Sequence, residues 1–234
     1  MEKLVIVPTY NERENIGPLL DQLMGLPERV DVLVVDDASP DGTADLVKER
    51  AAREPRIHLL QRSGKLGLGS AYVEGFRYAL AQGAEYIFEM DADFSHDPQA
   101  IPAFLAAAQD ADVVLGSRYL HGVRVVNWPL NRLILSRAAN VYTRLITGLP
   151  VHDATSNFRL YSRRLLDRVT IESTGGFELG IELTVKAYLL GMKLAEVPTT
   201  WRDRTAGTSR FKLWQWLPRY LHWYWRGFWG RFVR

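Results

Sequence analysis

Residues Tyr86-Ile87-Phe88-Glu89-Met90-Asp91-Ala92-Asp93 decide the reading of this chain. An apolar run ends in two carboxylates one residue apart. In a strand, residues i and i+2 project to the same face. At the C-terminal end of a strand, Asp91 and Asp93 can therefore converge on one divalent cation. Hard cations such as Mg²⁺ take carboxylate oxygens and commonly share them with substrate phosphates. The competing reading is a turn, because aspartate is frequent where strands end. The sequence around the triplet decides between the two.

Outward from it, short β-branched runs alternate with helical patterns. The runs predict strands at Leu4–Val7, Val32–Asp36, Ile57–Gln61, Tyr86–Met90 and Val113–Gly116, with helices over 13–25, 43–53, 68–82 and 98–108 between them. Further on, helices are expected over 130–147 and 178–190, a short strand at Phe158–Tyr161 and a last strand at Lys193–Thr200. Such alternation indicates an α/β fold, a mostly parallel sheet covered on both faces. Ligands of such sheets lie beyond the carboxyl ends of the strands. Here those ends carry Pro8-Thr9-Tyr10-Asn11-Glu12, Asp36-Asp37, Asp91-Ala92-Asp93 and Ser117-Arg118. Four strand ends thus place polar chemistry on one rim. Asp41-Gly42-Thr43 and Asp97-Pro98 read as helix starts. Gly67-Leu68-Gly69 suggests a dinucleotide fingerprint but fails it, because the third glycine is replaced by Tyr72.

The chain has 234 residues, enough for one sizeable core with an appendage. Cysteine is absent, which excludes a disulfide framework, a thiolate metal site and a cysteine nucleophile. The N-terminus carries no signal-peptide pattern, and no uncharged apolar stretch is long enough to span a bilayer. Charge is unevenly spread. Residues 201–234 hold eight arginines and lysines against Asp203 alone, together with six of the seven tryptophans. Within them, 213–234 mixes aromatic residues with Arg219 and Arg226, the composition of a helix lying in the headgroup layer. The competing reading is a helix packed on the catalytic domain.

The PTYNE, VVDDASPDGT, GLGSAY, MDADFSHDP and SNFRLY segments, with the later EVP and DR, resemble family-2, GT-A-type glycosyltransferases. Within that family they are similar to dolichyl-phosphate (polyprenyl-phosphate) mannose synthases, over about residues 4 to 212. The resemblance implies a GT-A Rossmann-like catalytic domain at 1–212 and a membrane-associated C-terminal helix at 213–234. It implies transfer of mannose from GDP-mannose to a polyprenyl monophosphate, with UDP-glucose as an alternative donor. Pro8, Tyr10, Glu12, Val35 and Asp37 would contact the nucleotide, and Asp36 reads better as a turn partner. Asp91 and Asp93, flanking Ala92, would hold Mg²⁺ or Mn²⁺ at the donor, with Ser95 as a weak third ligand. Arg204 and Arg210 would close over the diphosphate.

The acceptor phosphate would be held by Arg118, Arg132 and Ser136, with Arg118 also near the donor. Arg132 and Ser136 are four apart and so share one helix face. A phosphate monoester has a second pKa of about 6, so it is already anionic near neutrality and needs no general base. The residues expected to carry catalysis are Asp91, Asp93, Arg118 and Arg132. Asp153 reads equally as a sugar contact or a turn carboxylate, and Glu182 as a partner of Lys186. The expected setting is the cytoplasmic face of a membrane, peripherally bound, without nucleic acid; a separate membrane-anchoring subunit stays open.

Overall fold

The computed structural model describes residues 1–173, 176, 178–202 and 213–232. Four βα steps and a fifth strand open the chain: β1 (Lys3–Thr9), α1 (Arg13–Met24), β2 (Asp31–Asp36), α2 (Thr43–Ala51), β3 (Ile57–Gln61), α3 (Leu68–Ala81), β4 (Tyr86–Glu89), α4 (Ile101–Ala108) and β5 (Val113–Ser117). A short 3₁₀ turn, Pro98–Ala100, precedes α4, and the Asp97 carboxylate caps it by accepting from the Gln99 N–H at 2.9 Å. The remainder comprises β6 (Val125–Val126), α5 (Leu130–Thr147), β7 (Arg159–Ser162), α6 (Arg163–Leu166), α7 (Leu179–Leu189), β8 (Leu194–Pro198), β9 (Trp201–Arg202) and α8 (Leu213–Gly230).

Seven strands form one sheet in the order β3-β2-β1-β4-β7-β5-β8, and β6 pairs with β9 in a second small ladder. All seven strands expected from the sequence are present. Only β7 runs antiparallel, to both β4 and β5. It enters the sheet between β4 and β5 and separates their carboxyl ends by one strand. The sheet is covered on both faces, as its continuous apolar runs require. In β1, Leu4 and Ile6 face a core shared with α3, α7 and α8, while Val5 and Val7 face one shared with α1, α2 and α4. Each such side chain, wholly buried, contributes about 1.5–3 kcal/mol. Gly75 lets α3 lie close on β1, since a Cβ there would meet Ile6 Cγ2 at 2.6 Å.

Helix α8 packs on the body by one face. Trp223 and Tyr224 are buried in the core against α7 and α5. A Cβ at Gly227 would stand 3.0 Å from Thr147 Cβ, so the glycine permits the close crossing with α5. Arg219 pairs with Glu178 at 3.2 Å and Arg226 with Glu172 at 2.9 Å. The helix is therefore docked on the catalytic body, and its other face remains exposed at Leu221, Trp225 and Trp229. Among the described residues, no helix is long and apolar enough to cross a membrane.

Candidate active site

The rim is built by backbone that leaves the strands abruptly. Asn11, Ala38 and Phe94 follow β1, β2 and β4 and adopt φ of 61°, 52° and 59°. For alanine and phenylalanine this left-handed conformation is uncommon, and such residues cluster where a site constrains the chain. At β2, Asp36 accepts from Thr9 Oγ1 at 2.8 Å and from Ser39 N and Oγ at 2.9 and 2.6 Å. It is the turn partner expected. Asp37 is buried and accepts from Arg62 Nη1 at 2.7 Å and from the Leu66 and Gly67 N–H groups at 3.0 and 2.9 Å. Its carboxylate thereby fastens the 62–67 loop to the sheet. Gly67, at φ 98°, makes the turn into α3. The same loop sets Lys65 Nζ 3.7 Å from the centroid of the Tyr10 ring.

Glu12 precedes α1 and accepts from Asn15 Nδ2 at 2.8 Å, while Pro8 lies opposite Val35 in the parallel register. Val35 corrects an expectation. Its side chain is wholly buried in the core with Leu33, so it offers no surface to a nucleotide. The same holds for the Ala92 methyl, which is turned into the opposite core. Asp91 and Asp93 on either side of it are part-buried, and all three lie past the end of β4.

Asp91 Oδ1 accepts from Tyr72 Oη at 3.4 Å, and its N–H donates to His96 Nδ1 at 3.0 Å. Asp93 Oδ1 accepts from the Ser95 N–H at 3.1 Å, which curls the loop behind the carboxylates. The Ser95 hydroxyl is buried and has no hydrogen-bond partner among the described residues. This oxygen-only donor set suits a hard divalent cation. No group of three His, Cys, Asp or Glu residues fit to hold a metal occurs among the described residues. A cation here would complete its shell with substrate oxygens and water, as Mg²⁺ does at phosphate-bearing sites.

Just inside the pair, Glu89 is buried and accepts from Tyr161 Oη at 3.0 Å. Burial raises its pKa from 4.5 to about 7, only partly offset by Arg159 and the Tyr161 hydroxyl. A raised carboxyl favours the native state fully below pH 4.5, and that contribution is lost as pH climbs through 7. Without divalent cation, native stability should fall by about 2–3 kcal/mol across that window from this group. Glu89→Gln should flatten the slope in urea titrations at pH 5 and pH 8; parallel losses in both proteins would refute the assignment.

The second half of the rim is organised by Arg118 at the end of β5. It is buried, and it donates from N and Nε to Asp153 Oδ2 at 2.9 and 2.6 Å, and from Nη2 to Asp153 Oδ1 at 2.7 Å. Nη2 also reaches Thr155 Oγ1 at 2.8 Å. Asp153 is thus a fully buried counter-ion of Arg118, which settles its two readings against a sugar contact. Burial pushes the Asp153 carboxyl up, but the Arg118 charge and hydrogen bonds outweigh it and hold it below its ordinary value. The buried indole N–H groups of Trp128 and Trp201 have no acceptor among the described residues. The Arg118 guanidinium lies 5.3 and 5.7 Å from those two rings. Two buried donors without acceptors beside a cation suit an anion.

Helix α5 closes this corner with residues four apart. The Arg132 guanidinium lies 4.1 Å from the Trp128 ring, Ser136 Oγ accepts from Tyr119 Oη at 2.8 Å, and Asn140 Nδ2 donates to Thr155 Oγ1 at 2.9 Å. Arg132, Ser136 and Arg118 are therefore brought to one locality. Arg137 points elsewhere, its guanidinium 5.2 Å from the Tyr119 ring. Glu182 is wholly buried, accepts from the Glu172 and Ser173 N–H groups at 2.7 Å and pairs with Lys186 at 2.6 Å, a structural role as read. The two halves of the rim meet through aromatic contact, since His96 of the 91–96 loop lies 5.1 Å from the Trp201 ring. Sequence reasoning missed Asn140, Trp128 and Trp201. Only Asn140 had a signal, as the next i+4 step after Arg132 and Ser136. Arg204 and Arg210 lie outside the described residues.

Comparison with known proteins agrees with this geometry. Residues 4–170 match the family described as glycosyl transferase family 2. An undecaprenyl-phosphate mannosyltransferase of Micrococcus luteus is 44% identical over 90% of this chain and 87% of its own length. A polyprenol monophosphomannose synthase of Mycolicibacterium smegmatis is 42% identical over 88% of this chain and 80% of its own. Among solved structures, a mannosyltransferase of Pyrobaculum calidifontis in complex with GDP-Man and Mn²⁺ superposes with a TM-score of 0.65 at 21% identity, over 95% of this chain and 62% of that one. Glucosyl-3-phosphoglycerate synthase of Mycobacterium tuberculosis, in complex with Mn²⁺, UDP and glucosyl-3-phosphoglycerate, gives 0.63 at 19% identity, over 99% and 79%. The fold is that of an α/β glycosyltransferase of the GT-A type. The chain belongs to glycosyl transferase family 2.

Proposed function

We propose that the protein transfers mannose from GDP-mannose to a polyprenyl monophosphate, with inversion, releasing GDP. The observation that carries this reading is the meeting of two unlike halves on one rim. The Asp91/Asp93 carboxylates suit the donor diphosphate, and the acceptor-starved donors around Arg118 suit a second phosphate. A hydrolase or an ordinary hydroxyl acceptor would need a general base, whereas a phosphate monoester arrives charged. The names of the relatives at 44% and 42% identity point to the same lipid acceptor and sugar.

In this reading an oxygen of the acceptor phosphate attacks the anomeric carbon as the bond to the β-phosphate oxygen breaks. Arg132, Ser136 and Arg118 orient the attacking phosphate, and Tyr10, Glu12 and Pro8 hold the nucleotide. Asp37 acts one step back, by fixing the loop that carries Lys65. Asp91, Asp93 and Ser95 would hold Mg²⁺ or Mn²⁺, which neutralises charge on the departing diphosphate. Arg204 and Arg210 retain their proposed place over that diphosphate. Catalysis is then orientation and electrostatics. Residues 213–234 would bring the protein to the surface where the lipid resides, on the cytoplasmic face, and no nucleic acid takes part.

The test is transfer of labelled sugar from a panel of nucleotide sugars to polyprenyl phosphate. GDP-mannose should yield the lipid-linked product, with Mg²⁺ or Mn²⁺ required. A lipid product formed from UDP-glucose alone would replace the donor; no lipid-linked product from any donor would remove the reading.

A further inference from the structure

We propose that His96 is a positioning residue for the carboxylate pair. Its imidazole, braced by the aromatic wall of the acceptor half, fixes the backbone of Asp91 and so the place where a divalent cation is held. The inference rests on the reading of Asp91 and Asp93 given above and says what keeps them in place.

Asp91 and Asp93 lie past the end of β4, so the sheet does not hold them. The Met90 N–H still donates across to the Ile6 carbonyl of β1, at 3.1 Å. The next amide is that of Asp91, and a backbone N–H that leaves the sheet requires another acceptor. His96 Nδ1 supplies it at 3.0 Å. Together with the Ser95 N–H bond to Asp93 Oδ1 at 3.1 Å, this closes the 91–96 loop on itself. Accepting at Nδ1 puts the proton of the neutral ring on Nε2. That second nitrogen stands 3.9 Å from Asp91 Oδ2. One imidazole thus addresses both the backbone and the carboxylate of the same aspartate.

The ring is itself held on two sides. It is buried, stacks on Phe158 with centroids 4.9 Å apart and planes at 12°, and meets Trp201 edge-on at 5.1 Å. Phe158 is fixed in turn, since its carbonyl accepts from the Gly116 N–H of β5 at 2.8 Å. The Trp201 N–H donates to the Arg124 carbonyl, and the Arg124 N–H to the Arg118 carbonyl, both at 2.9 Å. The brace therefore runs from the end of β5, where Arg118 stands, across Trp201 and His96 to Asp91. An apolar side chain would fill this aromatic pocket with less desolvation, because a buried polar ring is costly unless it is paired. What histidine adds is the acceptor for Asp91. Groups that sit one hydrogen bond behind a metal ligand orient it and tune its affinity.

The test is Mn²⁺ binding by the full chain in the presence of GDP, followed by electron paramagnetic resonance. His96→Phe keeps a ring against Phe158 and Trp201 but gives the Asp91 N–H no acceptor. It should weaken Mn²⁺ binding by about tenfold or more and lower kcat, with the acceptor KM within about twofold of the parent. His96→Asn sets an amide oxygen near the position of Nδ1 but underfills the pocket. It should bind Mn²⁺ within about threefold of the parent, although its unfolding midpoint should be the lower of the two variants. Metal affinity and stability then change in opposite orders, which a purely structural histidine does not produce. Parental Mn²⁺ affinity in His96→Phe, or affinities that follow the order of stability, would overturn the positioning role. A parent that binds no Mn²⁺ with GDP would remove the carboxylate reading and this role together. If asparagine restores the affinity that phenylalanine loses, yet no sugar reaches a prenyl phosphate, the positioning role stands and the proposed reaction falls.

Discussion

Asp91→Ala is expected to reduce mannose transfer by at least about 10²–10³-fold, the scale of losing an electrostatic contact made to developing charge. The loss should appear in kcat and kcat/KM together and should not be recovered by excess Mg²⁺ or Mn²⁺. Asp91 is part-buried, with the Tyr72 hydroxyl at 3.4 Å and His96 Nε2 at 3.9 Å among its neighbours. A circular-dichroism melt separates the two effects. Arg132→Ala provides the contrast, raising the acceptor KM while leaving donor affinity near that of the parent. If Asp91→Ala retains cation-dependent transfer at the parental rate, the carboxylate pair is a turn and the donor end must be sought elsewhere.

The triplet could be read in sequence because its logic is local. The two carboxylates one residue apart, directly after an apolar run, are visible without the rest of the chain, although they lie past the end of β4. The seven strands were legible for the same reason, each a short apolar run closed by turn residues. Less local facts were not. That β7 enters the sheet antiparallel between β4 and β5 depends on the 118–158 excursion, which carries no period to reveal it. Met90 was expected inside the strand, but β4 ends at Glu89, where the chain leaves the sheet for the 91–96 loop. Val35 was carried into the donor site by likeness of motif, whereas its position in β2 sends its side chain to the core. Arg118 and Asp153 lie 35 residues apart, and no spacing rule joins them.

Reading α5 by one face also hid the other. Arg132 and Ser136 lie on the inward face of that helix, and Ile134, Leu135, Val141 and Leu145 are exposed on the other. The aromatic tail drew the membrane assignment to 213–234, although α8 turns Trp223 and Tyr224 into the core and so presents only part of its aromatic surface. An amphipathic helix normally has one apolar face, against the body. Helix α5 places polar site residues inward and leaves large aliphatics exposed outward.

The Arg118–Asp153 pair allows structure and chemistry to be separated by experiment. Asp153→Ala would leave a buried guanidinium unpaired and strip acceptors from Asn140 and Thr155, so it should destabilise the fold by about 3–5 kcal/mol. Since Arg118 holds the carboxyl below its ordinary value of 3.8, the stability that the pair contributes is present above that value and is lost as pH falls through the native pKa. Acid unfolding of the parent should therefore shift to higher pH in variants that weaken the pair. Removing both charges is different in kind. Arg118→Met with Asp153→Leu replaces a desolvated ion pair by apolar volume, which often restores most of the lost stability. That double variant should fold, give a urea midpoint near the parent and still fail to transfer mannose, because the Arg118 guanidinium is no longer there to meet the acceptor phosphate. Transfer at the parental rate by the double variant would confine Arg118 to holding the loop at 153–155 and leave Arg132 and Ser136 to grip the phosphate without it.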